Sequence, residues 1–418
     1  MGEPAMINDA AAPAKKQIKK LSLRESIDLP LAVIVFTLFA FGLLMVYSAS
    51  WQFASGSGNS EYITVLKQFG FGVLGGIAAL ILTFFNYHRF RRWIVPIMVV
   101  TLVMLLAVVL FGQETEFGAK RGLFNGSIQP SELAKLIIIL YLSFWLYSKR
   151  EVLDKWTFGL IPMMAIVGVT AGLILTQPDV SAAATIIFLG VIMFFIAGGK
   201  LKQLIIVFVV TAALGFLIVQ INSNASTRLS DYWNGLQNPE NASDHVKWSL
   251  EAIINGGVFG VGIGRSTTKF IGLPVAPTDS IFAVIAEETG LVGAFFVIVL
   301  YALLLWRGIT IANRAKDDLG KWLASGVTLW IMIEAAINMG VIVNLVPFAG
   351  NALPFISAGG SSLVTVMAGI GIIMGVARTS KLDPSGPEGT KHNAVVDLRR
   401  RDRRGSVSSS LRPSGNRK

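Results

Sequence analysis

Residues 29–50 read LPLAVIVFTLFAFGLLMVYSAS, twenty-two positions without one charged side chain. A run that apolar has no place on a wetted surface, and roughly 20 helical residues cross the hydrocarbon of a bilayer. The pattern recurs. Ten such segments fall near 29–50, 66–85, 93–112, 131–147, 157–176, 180–198, 202–222, 280–306, 322–346 and 359–378. Charged residues make up only 15% of the 418 positions, where soluble chains carry about 25%. The expected fold is an all-α polytopic membrane protein of about ten transmembrane helices. The first run is too long for the apolar region of a signal peptide and lacks a clear small-residue cleavage site, so it is expected to remain as helix one.

The formal net charge is +11. Its distribution points to membrane topology and away from nucleic acid. Basic residues gather at 15-KKQIKK-20, in the loops 86-NYHRFRRW-93, 148-SKREVLDK-155 and 307-RGITIANRAKDDLGK-321, at Lys200 and Lys202, and in 399-RRRDRR-404. By the positive-inside rule these face the cytoplasm, together with both termini. The implied organisation is a basic tail over 1–28, a membrane domain over 29–380 and a disordered basic tail over 381–418, too poor in apolar residues to offset its ordering entropy. That tail reads as solvated, with contact to anionic membrane lipids as its alternative use.

The loops near 113–130, 223–279 and 347–358 then lie outside. The longest has about 57 residues, too few for a catalytic domain with its own core. Chemistry is expected where these loops pack onto the helices. There are no cysteines, hence no disulfides or thiolate metal sites, and no two of the three histidines are close in sequence.

Four stretches could carry that chemistry. In 118-GAKRGLFNGSIQPSELAKL-136, Lys120 and Arg121 stand outside against the charge trend. They suit an anionic ligand such as a phosphate, or a salt bridge to Glu114 or Glu116. Glu132 and Lys135 are spaced i,i+3 and can pair on one helix face inside the membrane, as a functional or a structural ion pair. In 176-TQPDVSAAATI-186, Gln177 and Asp179 could bind a polar ligand or simply shape and cap a turn. The stretch 245-HVKWSLEAIINGGVFGVGIGRSTTKFIGLP-274 has an amphipathic start and five glycines between 256 and 264, followed by Arg265 and Lys269. It reads as a re-entrant or interfacial segment whose glycines serve either phosphate approach or close packing. Finally, 347-PFAGNALPFISAGGSSL-363 opens the last helix with hydroxyls, Ser357 and Ser361 among them, and free amides.

Three acids crowd 277-PTDSIFAVIAEETG-290. Asp279 falls in the first turn of the expected eighth helix, either as a dipole-complementing acid or as a carboxylate poised as a general base. Glu287 lies about 80° around the helix from it and Glu288 about 180°. The three cannot converge on one site, so the glutamates more plausibly satisfy polar groups inside the bundle.

These blocks, in this order, resemble the SEDS family, which includes FtsW, RodA and SpoVE. The matching residues are 118-GAKRG-122 with 128-IQPSELAK-135, 177-QPD-179, 256-GGVFGVGIGRSTTK-269, 273-LP-274 with 278-TD-279, 287-EETGLVG-293 and 351-NALPFISAGGSS-362. The resemblance covers about 29–378, and the extended tails favour an FtsW-like member. It implies an inverting peptidoglycan glycosyltransferase that polymerises lipid II outside the cytoplasmic membrane. It also implies a class B penicillin-binding protein as partner, with other division or elongation proteins. The family's essential acid falls on Asp279, and its paired charges on Glu132 and Lys135. Lys120, Arg121, Arg265 and Lys269 become candidates for the undecaprenyl pyrophosphate, and Gln177, Ser357 and Ser361 for other substrate contacts. Mg²⁺ or Mn²⁺ is a further candidate for neutralising the pyrophosphate, and no organic cofactor is implied. The chain departs from the family pattern at His245, Lys247 and Trp248, at Ser280 where Phe is usual, at 180-VSAAAT-185 and at Ala358. Two rival readings use the same residues: a flippase for lipid-linked precursors, and a non-catalytic scaffold of the cell-wall complex.

Overall fold

The computed structural model describes residues 26–57, 61–112, 122, 129–221 and 223–382. Seven apolar helices come first: α1 (Leu29–Ser57), α2 (Glu61–Phe84), α3 (Ile94–Phe111), α4 (Pro130–Lys149), α5 (Ile161–Leu175), α6 (Val180–Ile196) and α7 (Leu201–Ile221). Two helices and a single turn follow at one end of the bundle: α8 (Ser223–Gln237), α9 (Asp244–Gly256) and α10 (Thr268–Ile271). The last three are α11 (Ile281–Asn313), α12 (Asp318–Ile342) and α13 (Gly360–Leu382). Among the described residues nine helices are long and apolar enough to cross a membrane. The tenth expected span is α6, apolar but only 17 residues long. The chain is a multi-pass membrane protein.

Local chemistry sets the helix starts. Pro130 and Pro162 sit in the first turns of α4 and α5, where a missing N–H costs nothing. Asp179 caps α6 by accepting from the Ala182 amide, and Asp317 caps α12 by accepting from the Gly320 amide. Alternating direction brings the starts of α4, α6, α11 and α13 and the end of α12 to one end, called here the pocket end. At the opposite end Arg307 grips Asp28 with two hydrogen bonds of 2.8 and 2.7 Å, tying the end of α11 to the start of α1.

Burial separates the helices into two sets. The apolar windows of α4, α12 and α13 are 67%, 61% and 72% buried, whereas that of α7 is 6% buried. The first three form the centre; α7 offers nearly all its surface to lipid. Lipid supplies no hydrophobic drive for helices to associate, so close packing through small residues does that work. Along α13 and α2, a Cβ at Gly371 would lie 2.5 Å from the Ala79 carbonyl, and one at Gly75 would lie 2.9 Å from Met367.

The helix α11 breaks at Gly290 (φ 68°). In an α-helix the amides of residues 291 and 292 would bond the carbonyls of 287 and 288. Here all four groups turn to the segment after α9 instead. The Val261 and Gly262 amides donate to the Glu287 and Glu288 carbonyls, both at 3.0 Å, while the Leu291 and Val292 amides donate to Gly257 and Val258. Irregular backbone at this depth is tolerable because the inserted strand of residues satisfies it. Close approach requires glycine: a Cβ at Gly260 would sit 2.3 Å from the Glu288 carbonyl oxygen, and one at Gly256 would sit 2.1 Å from that of Ala286. Of the two uses open to these glycines, close packing accounts for Gly256, Gly260 and Gly290.

Candidate active site

At the pocket end a cavity of about 220 Å³ opens between the starts of α4, α6 and α13, the turn before α11, and the loop after α12. Its wall includes Glu132, Lys135, Asp179, Asp279, Glu334 and Ser361. Four carboxylates thus face one ammonium. The N-terminal ends of α4, α6 and α13 point their partial positive charge at the same space, which favours negative groups there.

Lys135 is the centre of a buried ion-pair triad. Its ammonium donates to Glu132 at 2.8 Å and, in a shorter contact, to Glu334 of α12. The side chains of Lys135 and Glu334 are only 5% and 3% exposed, and Trp330 lies under the ammonium, 5.9 Å from its ring centre. Oε2 of Glu132 is buried without a hydrogen-bond partner among the described residues, an acceptor facing the same region as the cavity it lines. Glu334 falls within the apolar run 322–346, and its pairing with Lys135 joins residues 199 positions apart.

The turn carrying Asp279 is held at four consecutive residues. The Ala358 amide donates to the Pro277 carbonyl at 2.9 Å, and the Ser357 hydroxyl to that of Thr278 at 2.6 Å. Asn338 of α12 donates from Nδ2 to the Asp279 carbonyl at 2.9 Å and to Asn351 at 2.7 Å. Ser280, the N-cap residue of α11, contacts Nε2 of His245 at 2.8 Å. Asp279 therefore precedes the helix rather than standing in its first turn. Gln68 of α2 braces the opposing loop, donating to the Ser357 carbonyl at 2.9 Å and accepting from the Gly359 amide at 3.2 Å. Backbone strain accompanies this bracing: Phe355 and the β-branched Val275 hold left-handed conformations, φ 68° and 48°, which cost on the order of 1–3 kcal/mol each.

Residues 29–382 match the family of FtsW, RodA and SpoVE, described as cell cycle proteins. The chain belongs to this family. A probable peptidoglycan glycosyltransferase FtsW of Geobacter metallireducens is 33% identical over 370 residues, covering 87% of this chain and 99% of its own. Stage V sporulation protein E of Bacillus subtilis is 33% identical over 362 residues, covering 86% and 99%. Among solved structures, a chain of a peptidoglycan synthase complex that coordinates polymerization and crosslinking superposes with a TM-score of 0.69. It is 24% identical, covering 85% of this chain and 99% of that one. The rod shape determining protein RodA of Thermus thermophilus superposes with a TM-score of 0.63 at 25% identity, covering 85% and 98%.

Within this FtsW/RodA/SpoVE chain the expected site residues scatter. Asp279, Glu132, Lys135 and Ser361 line one cavity. Lys269, expected at the pyrophosphate beside Asp279, is instead 1% exposed and paired with Glu288 at 2.7 Å. Ser48 of α1 completes that cluster by donating to Glu288 and accepting from Lys269. Its charge is consumed inside the bundle. Glu287 likewise accepts from the Ser266 and Thr268 hydroxyls and from the Thr267 amide, so both glutamates fasten the segment after α9 to α11.

Gln177 is fully buried and donates to the Leu105 carbonyl at 2.9 Å, which ties its turn to α3. The Ser357 hydroxyl is spent on the Thr278 carbonyl and the Leu353 amide. Neither serves as an open substrate contact. Arg265 is exposed but does not line the cavity. Lys120 and Arg121 lie outside the described residues, as do Glu114 and Glu116. Among the described residues no three of His, Cys, Asp and Glu converge to hold a metal ion. Glu132 and Glu334 are moreover committed to Lys135. A Mg²⁺ or Mn²⁺ ion at the pyrophosphate would therefore draw most of its ligands from the pyrophosphate and water.

Proposed function

We propose that this chain is a peptidoglycan glycosyltransferase, polymerising lipid II into β-1,4-linked glycan at the outer face of the cytoplasmic membrane. Its pocket end faces outward and both termini face the cytoplasm. The observation that carries this reading is the placement of Asp279. A carboxylate on a turn braced by α9, α12 and the loop before α13 faces a cavity in a family whose named relatives include glycosyltransferases.

Asp279 takes the proton of the acceptor sugar's 4-hydroxyl as that oxygen attacks the anomeric carbon of the donor. The bond to the undecaprenyl pyrophosphate breaks, and the new glycosidic bond has inverted configuration. A base held within hydrogen-bond reach of the hydroxyl is the essential requirement, and a fixed turn meets it without reorganisation. The cavity is rich in carboxylates and holds one committed ammonium, so it suits the hydroxyl-bearing acceptor rather than the pyrophosphate. The leaving group then depends on cations beyond the cavity, for which Arg265, Lys120 and Arg121 are the candidates. The buried free oxygen of Glu132 offers a second acceptor for a sugar hydroxyl.

A class B penicillin-binding protein is the proposed partner, supplying the crosslinking step, within a division-type or elongation-type assembly. A translocation path for lipid-linked precursors has less support. Of the charges that would line it, Glu287 and Glu288 are satisfied by neighbouring side chains, and Glu132, Lys135 and Glu334 pair with one another. Purified protein supplied with lipid II tests the base: Asp279→Asn is expected to stop glycan formation while leaving the protein folded. Polymerisation at the normal rate by that variant would remove Asp279 from the chemistry.

A further inference from the structure

We infer that His245 is a positioning residue for polymerisation, its imidazole holding the turn that aims Asp279. The inference rests on the reading of Asp279 as the base. Ser280 has one hydroxyl proton and two neighbours: the Pro274 carbonyl at 2.5 Å and Nε2 of His245 at 2.8 Å. A carbonyl only accepts, so the serine proton goes to Pro274. Nε2 of His245 must then carry the hydrogen and donate it to Ser280. The tautomer follows: Nδ1 is left as an acceptor, and it is buried without a partner.

That orphan nitrogen is informative. The ring is 6% exposed and packs 4.6 Å from Phe348. A leucine or phenylalanine could fill this space without a buried unpaired acceptor, so packing alone does not account for an imidazole. What an apolar side chain would lack is the Nε2 hydrogen. Burial also depresses the ring's pKa to about 4, which keeps the donor in its neutral, single-tautomer form near neutral pH.

The other three restraints on the turn act on the carbonyls of Pro277, Thr278 and Asp279. His245 acts on the side chain of Ser280, on the far side of the acid, where α11 begins. Releasing it lets the helix start rotate beneath Asp279 while the cavity wall stays intact. Phe348, against which the ring packs, also carries the guanidinium of Arg228 of α8, 5.2 Å from its centre.

The experiment compares lipid II polymerisation by the full-length protein and four variants. His245→Leu and Ser280→Ala are each expected to lower kcat about a hundredfold, the scale of a misplaced catalytic group, with KM for lipid II unchanged. His245→Gln places an amide hydrogen near the position of Nε2 and is expected to retain kcat within a few fold. The double variant is expected to be no slower than either single one. Should His245→Leu fail to fold, Ser280→Ala and His245→Gln decide the matter. A His245→Gln enzyme as slow as His245→Leu, or wild-type kcat in Ser280→Ala, overturns the inference. Asp279→Asn separates this from the underlying reading. If it is silent while His245→Leu and Ser280→Ala run at wild-type rate, only the positioning role fails; if it is active, the base assignment has failed.

Discussion

Lys135 and His245 are both buried polar residues, one set in an ion-pair triad and the other without a charged partner at its ring. Lys135 is held between Glu132 and Glu334. Replacing it by methionine would leave two carboxylates buried against each other without their cation. Breaking such a pair costs about 3–5 kcal/mol. Lys135→Met is therefore expected to lower the thermal midpoint in detergent sharply, and an unchanged midpoint would show that the triad contributes little. Burial holds the folded pKa of His245 at about 4, below the ordinary 6.5. As pH falls through that window the unfolded chain takes up a proton that the folded chain refuses. Stability present above pH 6.5 is lost toward pH 4, by up to about 3 kcal/mol. Wild type should thus lose more thermal stability than His245→Gln between pH 7 and pH 4.5. Equal losses would mean the ring is not neutral and buried as described.

At the level of elements, the break in α11 and the glycine segment that fills it form one unit, and this shows where sequence stops being legible. Ten apolar helices could be read directly, because span length and hydropathy are local properties. The inward use of Glu287 and Glu288 was legible too, although the angular argument counted Asp279 as helical and α11 is capped only at Ser280. The amphipathic start of α9 and its glycine-rich continuation marked an irregular segment at membrane depth. What the glycines face could not be read, because their partners are backbone atoms about thirty positions on. Lys269 was misplaced for the same reason. Beside Arg265 it looks like an external cation, yet its partners are Glu288 and Ser48, the latter 221 positions away. A side chain at Gly260 tests the unit: a Cβ there would lie 2.3 Å from backbone, at φ 81°. Gly260→Val is expected to destabilise severely, by more than about 3 kcal/mol. A folded variant with the wild-type thermal midpoint would contradict the stitched arrangement.

Over the whole molecule, the cavity is assembled from six places in the chain, around residues 129–135, 179–182, 278–279, 334, 350–352 and 358–362. No motif contains it. The sequence blocks marked which loops mattered, and the fold decided which side chains in them remain open. Asp279, Glu132, Lys135 and Ser361 converge, Glu334 joins from α12, and Gln177, Asn338, Ser357 and Lys269 serve the scaffold. The two ends of the bundle divide the work: salt bridges such as Asp28–Arg307 close one, and the carboxylate-lined cavity opens at the other. The central claim is that the cavity end performs polymerisation on the outer face. Proteoliposomes of known orientation, supplied with lipid II in the leaflet at the pocket end, test it most directly. The account predicts glycan strands on that face from wild-type protein and none from Asp279→Asn. Movement of lipid II to the other leaflet without strands, or equal strand formation by both proteins, would contradict it.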